Sequence, residues 1–265
     1  MSFSNKLSQT RDQLKEYFKK GKIPTQKHYE ELIDSVVNKV DDGFIKNEEF
    51  GFNIHSIGKS KTFVSLYPEH NASEPFFVIT KDQTKPKNLK LQPYIRGNEN
   101  NKRSFYFGEN GNLGVGKTAE EEIKLDVAGF VGMQGRAGNF RSGKVLADGV
   151  WHTIVQDLDN CHAYEIMART GAKGRGMFAL MHAIALGVYG KRGSKIKKNR
   201  TCYGFFWNHL NLRWVGKTHN YALQIRTNRN YGVGVHIHYK ITQLWNDHVF
   251  LSDNDIYKSD KSGNG

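Results

Sequence analysis

Four groups of residues have types and spacings that could do chemistry. The first is GNLGVGKT, Gly111 to Thr118, which satisfies the phosphate-loop pattern G-x-x-x-x-G-K-[ST]. There the backbone N–H groups would cradle phosphates, Lys117 would reach the terminal ones and Thr118 would hold magnesium. Such a loop must open a long helix within a parallel sheet. Here AEEEIKLDV follows, short and charged, and then GFVGMQGRAGNF, whose glycines end any helix. Nucleotide chemistry is therefore not expected. The second group is His236 and His238, an i, i+2 pair on one face of a strand and the weak candidates for a metal site. No Asp, Glu or Cys accompanies them at a ligand spacing, so exposed polar residues are the simpler reading and no cofactor is expected. The third is Asp157 and Asp159 in VQDLDN, a possible carboxylate pair for glycoside hydrolysis, but placed like turn residues between two strands. The fourth is Cys161 and Cys202, the two cysteines of the chain, whose separation fits two buried free thiols better than a metal site or a disulfide framework. No nucleophile-and-base signature such as G-x-S-x-G or H-E-x-x-H occurs. The chain reads as a non-enzyme.

Charge points to binding instead. The chain of 265 residues carries 39 Lys and Arg against 26 Asp and Glu, a formal net charge of +13. Residues 1–130 hold 20 basic against 18 acidic residues, so nearly all the excess lies in the second half, with 19 against 8. Part of it is KRGSKIKKNR, where Lys191, Arg192, Lys195, Lys197, Lys198 and Arg200 read as a loop that meets something anionic. Tyr203, Phe205, Phe206, Trp207 and Trp214 follow it; most alternate with apolar neighbours and are expected in the core. Aromatic faces and Lys/Arg together suit sugars and anionic groups of a cell envelope. Nucleic acid is the lesser reading, because no helix-turn-helix, RNA-recognition or zinc-finger signature is present.

The elements that must position these residues fall into three zones. Residues 1–43 look helical. Leu7, Leu14, Tyr17 and Phe18 mark a first helix, and Gly21 and Pro24 break it. Thr25 then caps a second, with Tyr29, Leu32, Ile33, Val36, Val37 and Val40 on one stripe and Asp41, Asp42 and Gly43 closing it. Leu32, Ile33, Val36 and Val37 are the candidate attachment residues, toward a partner or another subunit; a small local hairpin is the alternative. Residues 44–128 hold short β-like runs around Thr62–Tyr67, Phe76–Thr80, Leu89–Tyr94 and Ser104–Phe107, with thin apolar content that suits strands completed by neighbouring chains. Residues 129–265 contain the best core material and read as an antiparallel β-sandwich. There His162, Tyr164, Ile166 and Ala168 share a face. Phe178, Leu180, His182, Ile184, Leu186 and Val188 share another, opposite Ala and Met, so that strand is expected to be buried on both faces and His182 to be a core histidine. A helix over 177–189 is the alternative, because Met, Ala and Leu favour one. The fold class expected is mainly β with a short N-terminal α-helical segment. No apolar run approaches the roughly 20 residues of a membrane span, so membrane insertion is not expected. The first residues carry no apolar signal region, so a chain made in the cytoplasm without a signal peptide is expected.

One stretch carries a family resemblance. FYFGENGNLGVGKTAEEEIKLDVAGFVG resembles the GNVGIGTT-P-x-x-x-LDV-x-G motif that recurs in phage tail fibres, tail spikes and related trimeric adhesins. The matching positions run from Asn110, Gly111, Asn112, Leu113, Gly114, Val115, Gly116 and Thr118 to Leu125, Asp126, Val127 and Gly129; Lys117 replaces the usual Thr, and AEEE replaces the segment with Pro. LKEYFKKGKIPTQKHYEELIDSVVNKVDDGF resembles the N-terminal segment of tail-fibre-like proteins of Bacteroidota phages and contractile injection systems, and the C-terminal zone resembles their terminal β-domain. The resemblance implies an intertwined homotrimer with Gly111, Gly114, Gly116, Leu125, Asp126 and Val127 in its fibre motif. It further implies attachment to a baseplate or other tail protein by the N-terminus, and a cell-surface glycan or envelope ligand at the C-terminal domain. Its implied location is a virion tail or an extracellular injection particle. A purely structural baseplate component and a polysaccharide-depolymerising spike are the alternatives.

Overall fold

A computed structural model describes residues 9–38, 42–56, 58–70, 72–96 and 101–256. The chain is mainly β, with several antiparallel sheets and a few short helices, and divides into two compact units, Met1–Val131 and Gly132–Gly265. Leu7, Val40 and Asp41 lie outside the described residues.

The first unit opens on helices α1 (Arg11–Tyr17) and α2 (Gln26–Asp34). Thr10 and Gln13 cap α1 reciprocally. Thr25 caps α2 as expected, its N–H donating to His28 Nδ1. The helices meet where Tyr17 stacks on His28, ring centroids 4.0 Å apart. The second helix is shorter than its apolar stripe suggests. The Ser35 hydroxyl donates to the Glu31 carbonyl at 2.6 Å and its N–H to that of Leu32. That local competition stops the helix, so Val36 and Val37 lie beyond its end. Gly21 sits at φ +86° in the turn, while Phe18 caps α1. The hairpin β1 (Phe44–Asn47) and β2 (Gly51–Ile54) follows.

Six short strands then form one sheet in chain order: β3 (Thr62–Leu66), β4 (Phe77–Lys81), β5 (Leu89–Pro93), β6 (Phe105–Phe107), β7 (Leu113–Val115) and β8 (Leu125–Val127). Neighbours are antiparallel except β7 and β8, which run parallel. The register sorts the sequence by chemistry. Val64, Ile79, Leu91, Phe105, Val115 and Val127 pair in succession across all six strands, and Lys81, Leu89, Phe107, Leu113 and Leu125 form the next row of the same face, apolar but for Lys81 at its end. Thr80, Lys90, Tyr106, Gly114 and Asp126 form the opposite face. Burial is the reverse of that polarity. Lys90, Tyr106 and Asp126 are buried, whereas Leu89, Phe105, Phe107 and Leu125 stay exposed.

The second unit has two antiparallel sheets. The larger has the order β13 (Lys195–Tyr203), β12 (Phe178–Val188), β11 (Cys161–Gly171), β16 (His236–Asn246), β9 (Arg141–Leu146). The smaller has the order β10 (His152–Leu158), β15 (Asn220–Thr227), β14 (Leu210–Lys217). Short helices α3 (Asp247–Phe250) and α4 (Asp253–Ile256) follow β16. One core joins the sheets: Tyr164, Ile166, Met181, Ile237 and Ile241 from the larger, Leu210, Trp214, Tyr221, Leu223 and Ile225 from the smaller. The segment expected as a strand or a helix over 177–189 is therefore a strand, β12, and not a helix. The strand is buried on one face alone, and that face is the small one, Ala179, Met181, Ala183 and Ala185. The reason is volume. A Cβ on Gly187 would lie 2.9 Å from the Tyr221 ring and 3.1 Å from that of Trp214, so these aromatics already fill the space above β12. Leu180, Ile184, Leu186 and Val188 face outward and are exposed.

Substituting Gly187→Val should therefore destabilise the second unit by roughly 1–3 kcal/mol through overpacking. Leu186→Val, on the outward face, should change stability much less. Denaturant unfolding followed by tryptophan fluorescence checks both, and an equal loss for the two would contradict this packing.

Candidate functional site

The phosphate-loop segment is built as a sheet edge. Leu113 and Val115 pair in parallel with Leu125 and Val127, and residues 116–124, which join them, contain no helix. The connection lies against the polar face: a Cβ on Gly114 would be 2.0 Å from the Lys117 carbonyl and 2.8 Å from the Ala119 nitrogen, so no other residue fits. Gly111 and Gly116 both adopt positive φ, at +77° and +76°, to turn the chain into and out of β7. Lys117 Nζ lies 2.8 Å from Asp126 Oδ2 and 3.6 Å from Glu120 Oε1. The buried Asn112 amide donates to the Glu120 and Glu121 carbonyls, and its oxygen accepts from Lys124 at 2.7 Å. The lysine that a phosphate would need is thus engaged with a carboxylate.

Electrostatics follow that geometry. The hydrogen bond from Lys117, against an opposing effect of burial, holds the Asp126 carboxyl below its ordinary range, with the Glu120 N–H adding to it. The same bond raises the Lys117 ammonium above its ordinary value. A carboxylate with a depressed folded pKa contributes stability above its unfolded pKa and loses it as pH falls through the folded value. A lysine with a raised pKa contributes below its unfolded pKa and loses it as pH rises through the folded value.

The basic cluster is not one loop. Lys191 and Arg192 lie in the turn after β12, whereas Lys195, Lys197, Lys198 and Arg200 lie on β13, an edge strand. Alternation splits them. Lys195 and Lys197 pair with Leu186 and Ile184 on the outward face. Lys198 and Arg200 pair with Ala183 and Met181 on the inward one. Arg200 donates to Asn211 Oδ1 on the smaller sheet at 2.7 Å, and burial lowers the pKa of Lys198. Lysines on an edge strand also deter pairing with another chain's edge. The aromatics depart from expectation in the same region. Trp214 is core, but Tyr203, Phe205, Phe206 and Trp207 are exposed. The turn 204–209 carries the last three, with Phe206 and Trp207 ring centroids 4.3 Å apart.

His236 and His238 share the outward face of β16, ring centroids 6.4 Å apart. No group of three potential metal ligands occurs among the described residues. His182 is not a core residue. It faces outward and its Nε2 lies 2.9 Å from Glu165 Oε1. Asp157 sits at φ +57° in an irregularity of β10, and Asp159 contacts His219 Nδ1 at 2.8 Å. Both cysteines are free thiols, half-buried rather than buried. In the N-terminal segment Leu32 is half-buried while Ile33, Val36 and Val37 are exposed; the buried residue of α2 is Glu31.

Two features escaped the sequence. One is a polar lock between the β10–β11 turn and α3. Asp247 accepts from the Cys161 N–H at 2.9 Å and from the Trp245 indole at 2.7 Å, and Asn160 Nδ2 meets His248 Nε2 at 2.8 Å. Its partners lie far apart along the chain, so no spacing reveals it. The other is a cation-lined depression of about 490 Å³ on the outward face of the larger sheet, drawn from β9, β16, β11 and β12. The outward residues of those strands could be found by alternation, but not which strands adjoin. No protein-family model matches the chain, and no curated protein matches it.

Asp126→Asn should lower the melting temperature of the first unit near neutral pH. The deficit should shrink as the wild-type carboxyl itself protonates in acid, and Lys117→Met should give the same neutral-pH deficit. A melting series from about pH 3 to about pH 8 reads it, and a pH-independent deficit would rule out the ion pair as the cause.

Proposed function

We propose that this chain is a homotrimeric, fibre-like attachment protein of a phage tail or contractile injection particle. Its N-terminal segment would engage a baseplate or another tail protein, and its C-terminal unit would hold an anionic surface ligand. The observation that carries self-association is the one-sided sheet of the first unit. Six strands about 4.8 Å apart make a face roughly 29 Å wide. The row from Val64 to Val127 is apolar in every strand, the next row is apolar beyond Lys81, and Leu89, Phe105, Phe107 and Leu125 of that face are exposed. Contiguous apolar patches of a few hundred Å² mark interaction surfaces. A sheet whose other face is closed by its own connection presents this one to a further apolar surface, and a second copy of the same face is a surface of that kind.

The fibre-motif residues support the same reading. Gly114 and Asp126 serve the closed face, while Leu113, Val115, Leu125 and Val127 line the open one. The exposed Ile33, Val36 and Val37 fit a protein partner at the attachment end. The basic excess of the second half fits an anionic ligand, and three weak sites on one support bind by avidity.

Sedimentation of the full chain should give about three times its 30.3 kDa. Val115→Asp and Leu125→Lys, on the open face, should each yield monomer while the second unit melts as before. A monodisperse monomer for the unsubstituted chain would overturn the trimer, and an unchanged mass in both variants would place the contact elsewhere.

A further inference from the structure

We propose that the outward face of the larger sheet, from Lys144 on β9 to Tyr203 on β13, binds an acidic polysaccharide. This rests on the receptor-binding reading above and centres its ligand on Lys144, Arg169 and Lys240 instead of the Lys191–Arg200 cluster, whose Lys195 and Lys197 lie on the same face.

The register places Lys144, His238, Arg169 and Leu180 in one row across four adjacent strands, and Ser142, Lys240, Met167 and His182 in the next. Paired side chains stand about 5 Å apart and diagonal ones about 7–8 Å. Lys240 is diagonal to both Lys144 and Arg169, and His238 lies between those two. The three permanent cations thus share one depression of about 490 Å³, and like charges at that separation repel. Among the described residues none of the three has an ion-pair partner; the nearby carboxylate on that face, Glu165, is held by Arg136 and His182. Anionic groups placed among the cations would relieve that repulsion.

The rest of the surface selects the kind of anion. Met167 and Leu180 give the floor an aliphatic surface, and the Arg169 guanidinium lies 5.7 Å from the Phe178 ring centre. Tyr203 packs beside Phe178, 6.5 Å between centroids, and is 68 % exposed. Flat apolar ground beside cations accepts the C–H face of a sugar ring with its acid group on the cations. Ser142, Asn199 and Thr201 occupy the same face and can bond hydroxyl groups. Single-stranded nucleic acid would need successive free rings, and this face offers Tyr203. An anionic lipid surface would need continuous apolar ground, which the cations interrupt.

The test uses the full chain with five probes: a sulfated polysaccharide, a polyuronate, neutral dextran, oligothymidylate and phosphatidylserine-containing vesicles. The acidic polysaccharides should bind and dextran should not. Lys144→Gln with Arg169→Gln should weaken binding by about tenfold or more, and Tyr203→Ala should weaken it too. Arg213→Gln with Lys217→Gln, which removes the same two charges from the smaller sheet, should leave it unchanged, with melting temperatures confirming that all variants fold. Loss confined to Lys195→Gln with Lys197→Gln would overturn the placement while leaving the receptor reading intact. Preference for oligothymidylate or vesicles, or no binding of either acidic polysaccharide, would overturn the ligand class. A monomer that binds through Lys144 and Arg169 would keep this site and overturn the trimer.

Discussion

A β-strand sends alternate side chains to opposite faces, and among the described residues each of the two large sheets in this chain has a cover for one of them. In the first unit the connection between β7 and β8 closes the polar face, with Gly114 as the contact point and the Lys117–Asp126 pair holding it down. In the second, the smaller sheet closes the face of β12 that carries Ala and Met. The self-association and ligand surfaces proposed above lie on the faces left over.

The two open faces differ in chemistry. That of the first unit carries an apolar row through every strand, which suits another surface of the same kind and thus self-association. That of the second mixes exposed aliphatics with uncompensated cations, which suits a ligand of opposite charge. The difference follows from what alternates. In LGV and LDV the residue between two apolar ones is small or pairs locally, so all the apolar surface goes to one side. In β11 and β16 the inward residues are large, Tyr164, Ile166, Ile237 and Ile241, so the outward positions are free to carry Arg169, His238 and Lys240.

Some of this was legible residue by residue. The phosphate-loop pattern could be set aside because AEEEIKLDV is too short for the long crossover helix that loop must open and glycines follow it, and residues 116–124 contain no helix. The strand with His162, Tyr164, Ile166 and Ala168 on one face is present with that face in the core. Other readings failed for reasons of packing. Alternation offers both sides of β12 to the interior, but Trp214 and Tyr221 fill the volume over its small side at Gly187, and the side that packs there carries Ala179, Met181, Ala183 and Ala185 while the bulky side faces out. The basic cluster reads as a loop because charge runs usually are, yet its Lys195–Arg200 part lies on an edge strand paired residue for residue with β12, and Lys191 and Arg192 alone lie in the turn. The aromatic run after it was expected in the core, and its turn holds Phe205, Phe206 and Trp207 exposed.

By itself the sequence determined the class of structure, the charge asymmetry and the pattern of glycines, because strand periodicity, net charge and positive φ are local properties. The tertiary structure alone decided which strands lie side by side, and hence that Lys144, Arg169 and Lys240 share one depression. It also decided which face of each strand turns inward. Both depend on volumes supplied by residues far along the chain, such as Trp214 and Tyr221 above Gly187, and no spacing within a strand encodes them.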